Sequence, residues 1–159
     1  MRFALASTLL AATTLAACSD DHGHEHDDPD VEGCEHLAGG PFAPVTATDN
    51  PSAAPAIRAD HQAYTVTLPA RPIGQGGFVT FAAPEAIDYL FVLDQPVVAT
   101  FATGSGAVTP EESGTGSPAC AEIQRRYLVA LPVGTATIEL TSPDVTSVNV
   151  VVEPASHGH

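Results

Sequence analysis

Lysine and tryptophan are absent from this chain, methionine occurs only as Met1, and the five basic side chains are all arginine. Against 19 acidic residues they leave a formal net charge of −14. Such a surface repels phosphate backbones and anionic headgroups, which excludes nucleic acid as a partner and excludes electrostatic attachment to a membrane. It attracts cations. The missing methionine removes one usual ligand of a blue-copper centre, and no histidine lies between Cys120 and His157 to supply another. Catalytic signatures are also missing. There is no G-x-S-x-G elbow, since Gly104-Ser105-Gly106 has the wrong spacing, and there is no H-E-x-x-H, no phosphate-cradling glycine loop and no C-x-x-C. Glu111 and Glu112 are adjacent, which turns their side chains apart rather than across a cleft. A non-enzymatic protein is expected.

What the chain does contain is concentrated near its start. Arg2 precedes an apolar run from Phe3 to Leu15, too short to span a bilayer, with small residues after it. Residues 1–17 therefore read as a secretory signal peptide. Leu15-Ala16-Ala17-Cys18 resembles the lipobox of bacterial lipoproteins. That resemblance implies cleavage before Cys18, acylation of Cys18, and a lipid anchor in the cell envelope. Several acyl chains hold a protein to a bilayer far more firmly than one. By the same resemblance, Ser19 after the cysteine favours the outer membrane, with the protein facing the periplasm or the exterior.

Residues 18–33 carry no apolar periodicity and little bulk, so they are expected to form a disordered, lipidated tether. The stretch from Cys18 to His36 holds eight carboxylates and, at alternate positions, His22, His24 and His26. Imidazole nitrogen suits Zn, Cu and Ni, and neighbouring carboxylates add oxygen ligands. His22, His24, His26 and His36, with Glu25, Asp27 and Asp28, are the expected metal ligands. His61, His157 and His159 are further candidates, and His61 could join His36 and Glu35 if the fold brings them together. Similar His/Asp/Glu-rich tracts occur in periplasmic zinc-handling proteins, and this resemblance points the same way. Binding requires neutral imidazoles and should weaken below about pH 6.5. Asp28-Pro29-Asp30-Val31-Glu32-Gly33 mimics half of a calcium loop, but Gly39 stands where a bidentate glutamate is needed, so an EF-hand is excluded.

With Cys18 acylated, Cys34 and Cys120 remain. In an oxidising envelope an even pair reads as a disulfide, while thiolate ligation of a soft metal is the rival reading.

From residue 34 to 154 the composition turns to Val, Ala, Thr, Pro and Gly, which favours strands and turns. An irregular lead-in over 34–57, with one edge strand near Val45, precedes strand signals every ten to fifteen residues. Asp88 to Leu93 is apolar on both faces and should be a central strand. Residues 103–118 read as a mobile Gly/Ser/Thr/Glu loop, followed by one helical turn over Cys120 to Gln124. The fold class expected is all-β, a single antiparallel β-sandwich of seven or eight short strands, with a His-containing tail at 155–159. The Leu131-Pro132-x-Gly134-Thr135 turn resembles a hairpin of pre-peptidase C-terminal-type bacterial sandwiches, with Thr137 where those domains often have an aromatic. The function expected is a lipid-anchored envelope protein that binds or buffers Zn, Cu or Ni. The alternative is a structural or interaction module that contacts an envelope protein or polysaccharide, with the tether as a spacer.

Overall fold

The computed structural model describes residues 28–155. The expected signal peptide, Cys18, His22, His24, Glu25, His26, Asp27, His157 and His159 lie outside the described residues.

Strands dominate, and they form two sheets. The first has the order β1 (Phe42–Thr46), β3 (Ala63–Thr67), β11 (Ser147–Ala155), β5 (Ile87–Leu93), β9 (Arg125–Leu131), β8 (Glu112–Gly114). The second runs β2 (Ala56–Ile57), β4 (Gln75–Ala83), β10 (Gly134–Ser142), β6 (Val98–Thr103), β7 (Gly106–Val108). Alternation along each strand sends one set of side chains into a shared core. Tyr64, Phe91, Val129 and Val150 of the first sheet meet Val79, Phe81, Phe101 and Ile138 of the second. A chain of ring contacts runs through it, from Tyr89 to Phe81, Phe91, Phe101 and Tyr127, with successive centroids 4.8, 5.5, 5.0 and 5.7 Å apart. Offset and edge-on rings at such spacings add to the stabilisation that burial itself gives. Between β9 and β10 the chain turns at Gly134, whose φ of 134° a side chain would strain.

The layered β architecture matches the sequence expectation, but the sheets are mixed and the described strands number eleven. β1 pairs β3 in parallel and β2 pairs β4 in parallel. Parallel neighbours need a crossover, and here the opposite sheet supplies it. From β1 the chain crosses to β2 in the second sheet, returns as β3 beside β1, and crosses again to β4 beside β2. The expected mobile loop over 103–118 contains β7, which pairs β6, and β8, which pairs β9. The expected helical turn after Pro118 is an irregular segment. In it the Ser117 hydroxyl accepts from Ala119 N–H at 3.1 Å and donates to Asp30 at 2.7 Å.

A larger correction concerns the end of the tether. Residues 29–33 are not disordered: Pro29–Gly39 is an α-helix, α1. Asp28 is its N-cap, accepting from Asp30 N–H at 3.0 Å, Pro29 opens its first turn, and Asp30 and Glu32 place negative charge at its positive end. The carboxylates that mimic a calcium loop are thus a helix start, and the folded domain begins before Cys34. At the far end Ala155 belongs to β11 and is buried, so it is not part of the tail.

Helix α1 lies on the outer face of β5 and β11. Leu37 joins Leu90, Val92, Ile123 and Val151 in a second apolar cluster there. This explains why β5 is apolar on both faces: one looks into the sandwich, the other under the helix. Asp30 is 7 % exposed and held by Arg126 Nε at 3.3 Å. On the same side Cys34 and Cys120 form a disulfide with Cα atoms 6.1 Å apart, closing a sequence separation of 86 residues. A closed loop of that length contributes about 4.5 kcal/mol in the chain-entropy account.

Candidate metal centre at the helix and strand junction

Three parts of the fold converge on one side of α1. Glu32 and His36 are four residues apart and project together from the helix. His61 comes from the segment between β2 and β3, and Glu153 comes from β11. One donor atom from each of the four can be chosen so that all lie within 4.8 Å of one another. A cleft of about 430 Å3 opens beside them, lined by Val31, Glu32, Glu35, His36 and His61.

Each residue arrives by a local device. His61 has φ of 56°, a left-handed conformation that few non-glycine residues adopt. Its neighbours hold it there: Asp60 accepts from Tyr64 OH at 2.9 and 3.0 Å and from Gln62 Nε2 at 2.6 Å. The anionic Asp60 and burial together raise the Tyr64 phenol above its ordinary range, burial being the larger cause. His36 is fixed by the helix, with Nδ1 3.4 Å from the Gly40 carbonyl oxygen. Glu153 faces outward from a valine-rich strand, beneath His36 of α1 and His61, and is 0 % exposed.

Glu153 gives the cluster its character. Neither of its carboxylate oxygens has a hydrogen-bond partner among the described residues. Oε1 is 3.9 Å from His36 Nε2 and Oε2 is 3.7 Å from His61 Nδ1, both too long for hydrogen bonds. Its pKa is raised to about 7: burial is the largest cause, repulsion from Glu32 and Asp60 contributes to the rise, and His61 pulls the other way. Burying a carboxylate without donors is costly, so such a group calls for a cation or a proton. Two ligands bound to one zinc ion at the tetrahedral angle stand about 3.4 Å apart, given metal–ligand bonds near 2.1 Å. The Glu153–imidazole separations need only a few tenths of an ångström of closure. Glu32 already meets His61 Nδ1 at 2.8 Å.

No protein-family model matches the sequence, and no curated protein matches it.

Two imidazoles and two carboxylates are the kind of donor set that could hold a divalent transition ion of borderline softness. Of the residues expected from sequence, His36 and His61 lie side by side here with ring centroids 5.8 Å apart, whereas Glu35 lines the cleft without joining the four donors. Asp28 stands apart as the helix cap. Glu32 and Glu153 were missed. A helix over Pro29–Gly39 would have shown Glu32 and His36 on one face. The signal for Glu153 was a lone carboxylate within Val-Val-Val-Glu-Pro. A second group of potential donors, Cys34, Cys120 and Glu122, loses both sulfurs to the disulfide, which answers the thiolate alternative.

Proposed function

We propose that the chain is a non-catalytic, lipid-anchored protein of the bacterial cell envelope that binds or buffers a divalent transition metal. Glu32, His36, His61 and Glu153 form its fixed site, and zinc is the ion their chemistry suits first. The tract with His22, His24 and His26 supplies additional, weaker ligation close by in the chain, supported by its composition. One observation carries this reading above the others: a fully buried Glu153 carboxylate without hydrogen-bond donors, facing two imidazoles and a second carboxylate.

Zinc titration calorimetry of the full chain in detergent micelles tests it. The wild type should show one tight event followed by weaker ones. A H36A/H61A variant should lose the tight event and keep the weak ones, while H22A/H24A/H26A should do the reverse. Identical isotherms for wild type and H36A/H61A would remove the fixed site from the proposal. Identical isotherms for wild type and the triple variant would reduce the tract to a spacer.

A further inference from the structure

Arg125 is out of character with its position. Alternation along β9 puts it on the same face as Tyr127 and Val129, the face that looks between the sheets. Across the ladder Ser113 of β8 stands opposite Tyr127, and Gly114 opposite Arg126. Continuing that register by one residue brings Thr115 beside Arg125. β8 is the outer edge of the first sheet, and β6 approaches from the second sheet. Between them lies a groove of about 400 Å3, lined by Val98, Ser113, Gly114, Thr115, Arg125 and Tyr127.

Within this groove Arg125 Nε is buried and has no hydrogen-bond partner among the described residues. Its neighbour Arg126 is paired with Asp30 and Glu112, and Arg71 with Asp49 and Glu139. Among the described residues, the carboxylates that pair the other two arginines leave the Nε–H of this inward-facing guanidinium without an acceptor. A buried donor of that kind keeps its desolvation penalty until an acceptor arrives. The groove has other recognition groups: hydroxyls from Ser113 and Thr115, and the half-exposed Val98, at 46 %. The Tyr127 hydroxyl is already engaged, with Ala99 N–H at 3.2 Å and the Val97 carbonyl at 3.4 Å, so Tyr127 offers only its ring.

We propose that this groove binds a small organic carboxylate. On binding, the Arg125 guanidinium turns so that Nε–H, closed off in the free protein, and one terminal N–H take its two oxygens side-on, the planar fork that guanidinium presents to carboxylate. The hydroxyls flank the head, and an apolar body rests against Val98 and the Tyr127 ring. None of these residues belongs to the metal cluster, so the two sites stand or fall separately.

Nitrogen-15 NMR of the full chain in micelles, following the Arg125 Nε–H resonance, tests the assignment with benzoate, acetate, phosphate and sulfate as probes. Benzoate should shift that resonance and the Ser113 and Thr115 amides saturably, and more tightly than acetate. An R125K variant keeps the charge but loses the fork, and its affinity should fall about tenfold. R125Q should not bind at all, with the rest of its spectrum unchanged because Arg125 Nε holds no structural hydrogen bond. A S113A/T115V variant, which leaves the cation in place, should bind more weakly than wild type. Equal benzoate affinity in R125K and wild type, or the same shifts at Arg58 as at Arg125, would overturn the proposal. Tighter binding of phosphate or sulfate than of benzoate would overturn the carboxylate class.

Discussion

The buried carboxylate of Glu153 stands 3.7 Å from the His61 ring nitrogen, inside ion-pair range and beyond hydrogen-bond range. A pair held at that separation is unfinished. It can be completed by a proton on Glu153 or by a cation between the two groups, and the two completions compete.

The first prediction follows from the proton. Burial lifts Glu153 from its ordinary 4.5 to about 7, with Glu32 and Asp60 adding repulsion and His61 offsetting part of it. His36 faces the same carboxylate from α1. The folded state therefore binds this proton more tightly than the unfolded chain does. Stability from this group is fully present below about pH 4.5 and is lost as pH rises through about 7, in total about 3 kcal/mol. Urea unfolding in the presence of a chelator should show the metal-free protein less stable at pH 8 than at pH 5 through this linkage. In E153Q that share of the difference should vanish. A pH dependence unchanged by E153Q would mean that Glu153 does not carry the proton.

Adding zinc at pH 8 should reverse the loss, since the ion replaces the proton as the counter-charge. The gain should follow RT ln(1 + [Zn]/Kd), about 2.7 kcal/mol at a hundredfold excess over Kd. Denaturation midpoints across a zinc series give the measurement. E153Q should gain much less at every concentration.

The helix that carries Glu32 and His36, two of the proposed ligands, depends on Gly33. A Cβ there would come within 2.8 Å of Val92 Cγ2, and valine in a central strand has little freedom to turn away. Gly33→Ala gains up to about 1 kcal/mol of helix propensity, but overpacking costs about 1–3 kcal/mol. A net loss of about 1 kcal/mol is expected, together with weaker zinc binding as Glu32 and His36 are pushed outward. The G33A/V92A double variant should recover the zinc affinity. Recovery of affinity, rather than of stability alone, is the outcome that links helix seating to the site.

The core of this molecule was legible in its sequence and the site was only half legible, for a physical reason. Strand alternation and the doubly apolar run from Asp88 to Leu93 report burial directly, and β5 does lie at the centre of its sheet. What covers its second face was not visible. Helix α1 is one short element that buries a single large apolar side chain, Leu37, announced only by the Asp28-Pro29 cap, and an acidic first turn looks much like a polar tether. His36 and His61 could be suspected as a pair because histidine carries its chemistry openly. Glu32 and Glu153 became partners only once the helix lay across β11. The parallel pairings of β1 and β2 were hidden in the same way, since strand direction depends on crossovers between sheets rather than on local pattern.

His61 separates function from stability most sharply. Its φ of 56° suits glycine and strains a side chain, while its ring is 65 % exposed and makes little contact that stabilises the fold. The ion pair with Glu32 operates only when the ring is protonated, and an exposed pair of that kind contributes at most about 1 kcal/mol. His61→Gly relieves the strain, so the metal-free protein at pH 8 should be as stable as wild type or up to about 1 kcal/mol more stable. Its zinc affinity should nevertheless fall at least about tenfold, since a proposed ligand is gone. His61→Asn, which also tolerates the left-handed conformation, should keep the stability and lose the affinity alike. A loss of fold stability matching the loss of zinc affinity in both variants would make His61 a structural residue instead of a ligand held in strain.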